Sequence, residues 1–352
     1  MRTLSVINDP VFTPQEYDSM DKALLGLIRD ERDLPFLYLI LKITSIMMTL
    51  GVALYFVEGW LFWVLSLAYF VVNNFVFKGP FGLMLHCTSH RKFFVKKYEF
   101  MNKFLPWVMG PFFGQTPETY YSHHIHMHHA KNNLPDDLST TMTYQRDSLK
   151  EWLRYWGNFM TRGLVDLAVL FHHENRPKLV RKILVGEGAF IAMCIVLSLI
   201  NFKATLMVFM VPFLISRIIM MLGNWTQHAF IDASDPGNPY KNSITCINVK
   251  YNHKCWNDGY HISHHQKPAM HWTKHPEFFQ KTLHEYAENK AVVFDGIDFL
   301  QVFVKLMRRD YDSLAENMLN IDNTFSSKEE AIALLKERTQ KIEVPTGNLA
   351  FA

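Results

Sequence analysis

The sequence lacks the features that mark several common classes of protein. Lysine and arginine (36 residues) nearly balance aspartate and glutamate (33), so the net charge of +3 gives no general attraction to nucleic acid. The four cysteines form no Cys-x-x-Cys pair, which predicts free thiols rather than a disulfide framework. No apolar stretch occurs before residue 34, so we expect no signal peptide.

Two common metal-binding patterns are missing as well. The sequence contains no Glu-x-x-His pair, which soluble ferritin-like di-iron proteins use. The spacing of His86 and His90 resembles the zinc-protease motif, but Cys87 stands where the catalytic glutamate of that motif would be. A metal site in this chain must therefore be of another kind.

Long apolar runs are present, and there are four of them. They cover residues 36–57, 60–77, 183–200 and 204–222. At about 1.5 Å per residue, each run is long enough to cross a bilayer core as a helix. Short connectors, Glu58-Gly59 and Asn201-Phe202-Lys203, join the runs in pairs, which predicts two transmembrane hairpins. Two buried helical hairpins of a soluble protein are the alternative.

The charges around these runs predict their orientation. The segment 78–182 carries fifteen lysines and arginines, whereas the two hairpin tips carry only Lys203. The positive-inside rule then places this segment and both termini in the cytosol. Residues 149–171 carry a helical apolar stripe, which fits an interfacial helix on the membrane or a helix packed on the soluble domain equally well.

We therefore expect an all-α integral membrane protein, with four transmembrane helices in two hairpins and a helical cytosolic cap. The expected segments are a cytosolic N-terminal helix (1–33), a membrane domain with the metal site (34–276) and a cytosolic helical C-terminal region (277–352). Thr13 is expected to cap the N-terminal helix, and Ser327, followed three residues later by Glu330, is expected to cap the last helix.

The histidines give the strongest indication of function. Ten of the 17 fall into three short windows at residues 86–90, 123–129 and 261–265. Positions i and i+4 share a face of a helix, which aligns His86 with His90 and His124 with His128. A fourth site pairs Asn224 with His228 at the same spacing. Together these sites offer nine imidazoles: His86, His90, His124, His128, His129, His228, His261, His264 and His265.

Nine nitrogen ligands are too many for one metal ion, but two ions with four or five ligands each would use them all. Imidazole suits iron, copper, nickel and zinc, and charge favours a redox metal whose oxidised state can take bound oxygen species. His123 and His126 lie off the chosen face, and either could replace His124 if the helix is irregular there. His172 and His173 are expected at the surface. The remaining histidines have no partner spacing and are expected to be structural: His253, His271, His275 and His284.

These motifs resemble those of the membrane fatty-acid desaturases, which carry three histidine boxes around two membrane hairpins. The resemblance covers roughly residues 35–270. The third box, residues 257–265 (NDGYHISHH), is similar to the Gly-Glu-Gly-Tyr-His-x-x-His-His of stearoyl-CoA-type desaturases, and Asn224-x-x-x-His228 followed by Asn238-Pro239-Tyr240 is similar to motifs of the same group. The second box has the His-x-x-x-His-His spacing of related alkane hydroxylases, and the first box is shorter than in stearoyl-CoA desaturases.

The resemblance implies that the nine histidines bind two iron ions and that Asn224 reaches one of them through water. It implies an O₂-dependent desaturase of a fatty acyl lipid or acyl-CoA. No fused donor segment is visible, so a separate electron donor such as cytochrome b5 or a ferredoxin is expected. The membrane would be the endoplasmic reticulum in a eukaryote or the inner membrane in a bacterium, with the active site on the cytosolic side.

Two other functions remain open. A membrane di-iron hydroxylase of an alkyl or acyl lipid would use the same site. A metal-binding or metal-transport membrane protein would be expected to place histidines inside the apolar runs, whereas these lie outside them. Carboxylates close enough in sequence to orient the histidine ligands are Glu118, Asp136, Asp137 and Asp258.

Overall fold

The computed structural model describes residues 1–344 and is mostly helical (67%), which confirms the predicted fold class in its coarse form. The last eight residues of the expected C-terminal region, 345–352, lie outside the described part. The α-helices are α1 (Ser19–Leu25), α2 (Leu34–Lys42), α3 (Thr49–Ala53), α4 (Gly59–Val71), α5 (Lys78–His90), α6 (Gly110–Phe112), α7 (Thr119–His123), α8 (His129–Lys131), α9 (Leu149–His173), α10 (Pro177–Thr205), α11 (Val211–Gln227), α12 (Pro239–Asn242), α13 (Lys250–Lys254), α14 (His261–Gln266), α15 (His275–Lys281), α16 (Leu283–Glu288), α17 (Phe299–Met307), α18 (Tyr311–Asn317) and α19 (Lys328–Arg338). Turns of π-helix occupy Ile43–Met48, Val72–Phe77, Leu105–Met109, His124–His128 and Leu206–Met210, and 3₁₀ turns occupy Glu31–Asp33, Lys96–Lys103, Trp272–Lys274 and Ile321–Asn323.

Two short strands depart from the all-α expectation. Strand β1 (Ile244–Ile247) pairs in parallel with β2 (Val292–Asp295), with Ile244 opposite Val292. All eight strand residues are buried, so neither strand shows the polar alternation of a half-exposed sheet. An apolar run this short cannot be distinguished from a buried helical segment by its pattern, which explains why the sequence analysis missed the sheet.

Three helical stretches among the described residues are long and apolar enough to cross a membrane. They are Glu31–Ala53, Gly59–His90 and Pro177–Gln227. The predicted number of four spans is therefore not confirmed, because the last two predicted runs fall within one stretch of 51 residues. Large apolar side chains point outward from these stretches, among them Trp60 (77% exposed) and Leu67 (64%).

The longest stretch is interrupted at Asn201. The backbone there is extended (φ −153°, ψ 99°), and the Asn201 side chain accepts a hydrogen bond from the amide of Ala204 at 3.1 Å. A side-chain acceptor three residues before the donor is the geometry of a helix N-cap. One helix therefore ends before Asn201, and a second helix begins after it.

The chain divides into two compact units. Among the described residues, the sheet unit comprises Met1–Val11, His124–Leu170 and residues 219–344, and the long-helix unit comprises Phe12–His123 and Phe171–Ile218. The expected division into three consecutive segments stays a prediction.

Polar contacts join the helices inside the long-helix unit. The Tyr55 hydroxyl, close to the Glu58-Gly59 connector, lies 2.8 Å from the Thr205 hydroxyl, close to Asn201. The Lys78 ammonium donates to the Ser216 hydroxyl at 3.0 Å, on the later helices of the unit. The contact at Tyr55 places the Glu58-Gly59 connector and the Asn201 interruption at the same end of this unit.

The sheet unit has an apolar core of its own, in which β1 and β2 pack against α17, α18 and α19. Helix α9 joins this unit through Trp152 and Tyr155, which pack with Trp225 and Phe303. This packing supports the alternative in which α9 lies on the soluble domain.

The two expected helix caps have different outcomes. The Ser327 side chain accepts from the amide of Glu330, so the predicted cap of α19 is confirmed. The predicted start at Thr13 is wrong, because α1 begins at Ser19. Asp18 and Asp21 form a capping box there: the Asp18 side chain accepts from the amide of Asp21, and the Asp21 side chain accepts from the amide of Asp18.

Candidate metal centre

The second histidine window adopts a π-helical turn. The turn spans His124–His128 and lies between α7 and α8. A π-helix closes its hydrogen bonds at i+5 rather than i+4, so each turn holds more residues than an α-turn. His124 is therefore followed on nearly the same face by both His128 and His129. The π-turn therefore keeps His124 on the face shared with His128 and His129. The imidazole of His124 lies beside that of His129, with their Nε2 atoms 3.2 Å apart.

Four histidines of the sheet unit form one group: His128, His228, His261 and His265. We call it the four-histidine group. Each member offers a ring nitrogen, and these four nitrogens all lie within 4.8 Å of one another. The Nε2 atom of His261 lies 3.2 Å from that of His228 and 3.0 Å from that of His265. Three separate segments of the chain supply this group.

A second group in the sheet unit contains His124, His129 and His264, and we call it the three-histidine group. The Nε2 atom of His129 lies 2.9 Å from that of His264. Residues adjacent in sequence belong to different groups. His128 and His265 belong to the four-histidine group, whereas His129 and His264 belong to the three-histidine group. The two groups therefore lie side by side, with ring centroids 5.7 Å apart for the first pair and 5.9 Å for the second.

The separations between nitrogen atoms fit metal ligation. Histidine nitrogens bind a first-row metal at about 2.1 Å, so two ligands at a right angle stand about 3.0 Å apart and two opposite ligands about 4.2 Å apart. The Nε2 pairs at 2.9–3.2 Å match the first of these values, and the 4.8 Å limit of the group accommodates the second. Lone pairs that face one another at such distances repel unless a proton or a cation lies between them.

Hydrogen bonds outside the four-histidine group fix two of its rings. His128 Nδ1 lies 2.8 Å from the Asp137 carboxylate. Because a carboxylate only accepts, His128 carries its proton on Nδ1 and presents the Nε2 lone pair to the group. Burial alone would raise the pKa of Asp137, but the neighbouring His128 and hydrogen bonds from Ser139 outweigh burial and lower that pKa to about 2. Asp137 is thus held as an anion.

The His228 ring is fixed in the same way by the backbone. Its Nδ1 lies 2.8 Å from the carbonyl oxygen of Asn242, just before β1, so Nε2 is again the lone-pair atom. Burial, with a further contribution from the nearby His128, lowers the pKa of His228 to about 3. Burial, with a further contribution from His261, also lowers the pKa of His265 well below its ordinary value. Both rings are therefore neutral, which is the form that binds a metal.

The third window is positioned by a close approach of backbone segments. The amide of Gly259 donates a hydrogen bond to the Asn252 side-chain oxygen at 2.9 Å. The carbonyl oxygen of Gly259 accepts one from the amide of Cys246 at 2.8 Å. A Cβ atom at Gly259 would lie 2.3 Å from the Asn252 side-chain oxygen, so no larger residue fits there. This contact ties the start of α14, and hence His261, to strand β1.

The neighbours of Gly259 extend this support. Asp258 accepts from Tyr251 at 2.7 Å and from Gln227 at 3.2 Å, and Gln227 immediately precedes His228. The Tyr260 hydroxyl donates to Asp9 at 2.7 Å, and Asp9 also accepts from the amide of Asn248 at 2.8 Å. The first residues of the chain therefore hold the residue that precedes His261.

Asn224 is held by two oxygen atoms. Its side-chain amide group donates to the carbonyl of Ser139 at 2.9 Å and to the Tyr155 hydroxyl at 2.7 Å. Both amide protons are directed to these acceptors, which places the side-chain oxygen on the opposite side. The predicted role of Asn224 in reaching a metal through water stays a prediction.

The sequence matches the family model of the fatty acid desaturases over residues 58–296. The chain belongs to the fatty acid desaturase family. Comparison with curated proteins and with solved structures gave no match. Membership of the desaturase family implies a membrane-bound oxidoreductase that uses O₂ and a fatty acyl substrate. The matched region contains all nine histidines that the sequence analysis selected.

Seven of those nine histidines lie in the two groups of the sheet unit. The other two, His86 and His90, lie on α5 in the long-helix unit, with ring centroids 5.3 Å apart, as their i, i+4 spacing predicts. The metal-binding role of all nine stays a prediction. Among the other histidines of this desaturase-family chain, His172 and His173 are exposed, as expected, His271 caps the 3₁₀ turn at Trp272–Lys274, and His275 Nδ1 lies 2.6 Å from the Ser263 hydroxyl.

Of the four carboxylates expected to orient ligands, Asp137 contacts a histidine of the groups directly. Asp258 supports the third window through its neighbours. Asp136 pairs with Lys131 at 2.8 Å, and Glu118 accepts from Trp107 at 3.1 Å. The sequence analysis missed Asp9 and Asn242, and no local pattern around either residue could have identified them.

Proposed function

We propose that this desaturase-family protein introduces a double bond into a fatty acyl chain in an O₂-dependent reaction at two iron ions. The observation that carries the proposal is the pair of adjacent histidine groups, whose nitrogen spacings suit two metal ions side by side. Imidazole nitrogens without a carboxylate among them suit a redox-active first-row metal, and the family supports iron.

In this proposal the four-histidine group binds one iron. The three-histidine group would contribute ligands to the second iron, and His86 and His90 complete the nine proposed ligands. Asn224 reaches one of the ions through a water molecule. The i, i+4 alignment of His86 and His90 on α5 supports their action as a ligand pair.

The irons, when bound and reduced, supply the O₂ chemistry that removes hydrogen from unactivated carbon. In the balanced reaction, CH₂–CH₂ loses two hydrogens, two electrons arrive from a separate donor such as cytochrome b5 or a ferredoxin, and O₂ with two further protons becomes two waters. The residues of the chain keep the ligands neutral and oriented: Asp137 holds His128, and the Asn242 carbonyl holds His228.

We also propose that the chain crosses the membrane four times, with both termini and the histidines on the cytosolic side. The 51-residue stretch is about 75 Å long at 1.5 Å per residue, more than twice the thickness of a bilayer core. The interruption at Asn201 divides this stretch into two helices. The contact between Tyr55 and Thr205 supports a turn at Asn201 that lies at the same end of the unit as the turn at Glu58-Gly59. Fifteen lysines and arginines in residues 78–182 support the cytosolic orientation.

The proposal is tested by lipid profiling of a host that expresses the chain, combined with metal analysis of the purified protein. We expect lipid products that have lost two hydrogens and about two irons per chain. His264→Ala should lose both the lipid product and the iron. The control is His284→Ala, an exposed histidine outside both groups, which should retain product and iron. Purified protein with about one metal per chain, or with zinc alone, would contradict the proposal.

Hydroxylation is the second candidate, because the second window has the His-x-x-x-His-His spacing of alkane hydroxylases. The same mass spectra distinguish the two reactions, since hydroxylation adds one oxygen and removes no hydrogen pair. A metal-transport function would instead give metal uptake by the host without any lipid product.

A further inference from the structure

A groove of about 420 Å³ lies on the long-helix unit beside the start of α10. Its lining residues are His172, Pro177, Val180, Arg181, Leu184 and Val185. The five from α10 follow the spacing i, i+3, i+4, i+7 and i+8, which is one face of a helix. The groove is therefore one face of α10 with His172 beside it. Along this face, Arg181 precedes Leu184 and Val185.

Arg181 is the charged residue that lines the groove, and the segment around it is basic. Residues 172–185 contain four basic side chains (Arg176, Lys178, Arg181 and Lys182) and one acidic side chain (Glu174), a net charge of +3. Arg176 pairs with Glu174 at 3.4 Å, and Lys182 pairs with Glu118 at 3.4 Å. Arg181 is exposed and has no carboxylate partner among residues 1–344. The guanidinium in the groove is thus available to an external anion.

The other end of the groove is apolar. Leu184 (54% exposed) and Val185 (50%) follow Arg181 by about one helical turn. Both belong to the stretch Pro177–Gln227, which is long and apolar enough to cross a membrane. Along α10 the groove therefore changes from cationic to apolar in the direction in which the stretch becomes membrane-like.

We propose that this groove binds one anionic glycerophospholipid, with its phosphate at Arg181 and His172 and an acyl chain along Leu184 and Val185. A basic cluster next to a membrane helix attracts anionic lipid at about 1 kcal/mol for each lysine or arginine. A soluble anion would use only the cationic end, and a zwitterionic phospholipid would bring a cation of its own beside Arg181, which offsets the attraction of its phosphate. The site shares no residue with the two histidine groups or with His86 and His90, and it does not rest on the proposed reaction.

The test uses the full-length protein in detergent, titrated with dioleoyl-phosphatidylserine or dioleoyl-phosphatidylcholine and followed by native mass spectrometry. We expect one phosphatidylserine per chain, bound more tightly than phosphatidylcholine. Arg181→Gln should weaken phosphatidylserine binding about fivefold, the equivalent of one surface charge. Arg181→Lys should recover part of the affinity, and Leu184→Ser should also weaken binding. The matched control is Lys203→Gln, which removes one exposed charge from the far side of the Asn201 interruption and should bind as the wild type.

Several outcomes would overturn the proposal. These are unchanged binding in Arg181→Gln, equal losses in Arg181→Gln and Lys203→Gln, equal binding of the two lipids, or full competition by inorganic phosphate. Iron content and thermal unfolding are measured on the same samples. Arg181→Gln should keep its iron, so a failure of the lipid site is distinguished from a failure of the metal centre or of folding.

Discussion

The two units of this protein differ in which side chains they expose to the surroundings and which they bury. In the long-helix unit, large apolar residues face outward, and Phe56 (82% exposed) and Leu199 (84%) are the strongest examples. In the sheet unit, polar residues such as Asp137 and Arg146 are almost completely buried. The first pattern suits a lipid solvent, and the second suits a water-soluble domain whose interior polar groups are hydrogen-bonded to one another.

Arg146 shows how the sheet unit satisfies its buried polar groups. Its guanidinium donates to the carbonyl oxygens of Thr141, Ala229 and Arg338 at 3.0–3.1 Å. Ala229 follows His228, so this side chain joins the segment that carries a predicted ligand to the end of α19. The outward apolar faces of the long helices suit an apolar surrounding, whereas the segments that carry the histidine groups are held by a buried hydrogen-bond network.

The largest effect should come from removing a member of the four-histidine group. His265→Ala leaves three nitrogens where four converge, so we expect loss of iron from that site and no measurable product. Metal analysis and lipid profiling check this expectation. His253→Ala, an exposed histidine of the same unit, is the control and should behave as the wild type. Full activity in His265→Ala would remove it from the ligand set.

The next prediction tests whether lipid surrounds the long helices and water surrounds the sheet unit. Leu67→Asp places a charge on an outward face of Gly59–His90 and should cost insertion about 3 kcal/mol if lipid surrounds that face. Leu300→Asp, at a similarly exposed leucine of the sheet unit (58%), should be tolerated because water surrounds it. The measurement is the fraction of protein in the membrane after expression. Equal tolerance of both changes would contradict the lipid-facing assignment.

A smaller effect is expected for the carboxylate that orients His128. Asp137→Asn keeps the shape of the side chain but removes its charge, so iron affinity should fall about 10- to 100-fold. Chelator competition measures this loss. Asp136→Asn is the matched control, because Asp136 pairs with Lys131 and contacts neither histidine group. Equal affinities in the two variants would show that the contact between Asp137 and His128 does not support the metal.

The smallest effect should come from the N-terminal contact. Tyr260→Phe removes the hydrogen bond to Asp9, a bond to a charged acceptor that is worth about 1.5 kcal/mol. Thermal unfolding of Tyr260→Phe, Asp9→Asn and the double variant forms a cycle that isolates the coupling between the two residues. We expect the double variant to be less destabilised than the sum of the single variants. Strict additivity would mean that the contact contributes nothing.

Some of the architecture could be predicted because its cause is local. The apolar runs and the i, i+4 histidines follow the helical period, and the structure has helices along the runs and at His86 and His90, while His228 follows the last residue of α11. The π-turn at His124–His128 could not be predicted, because an α-helix and a π-turn differ by one residue per turn and the sequence pattern tolerates both. Strands β1 and β2 were missed because complete burial removes the alternation that identifies a strand.

The sequence by itself determined which segments avoid water and which histidines could bind metal, since both properties depend on residue type and spacing along one helix. Only the tertiary structure decided how seven of those histidines divide into two groups and which atoms hold their rings. Asp9 and Tyr260 are 251 residues apart in the chain, and His228 and the Asn242 carbonyl meet across a turn. Such contacts form when separate segments pack together, and nothing in the local sequence of either partner specifies the other.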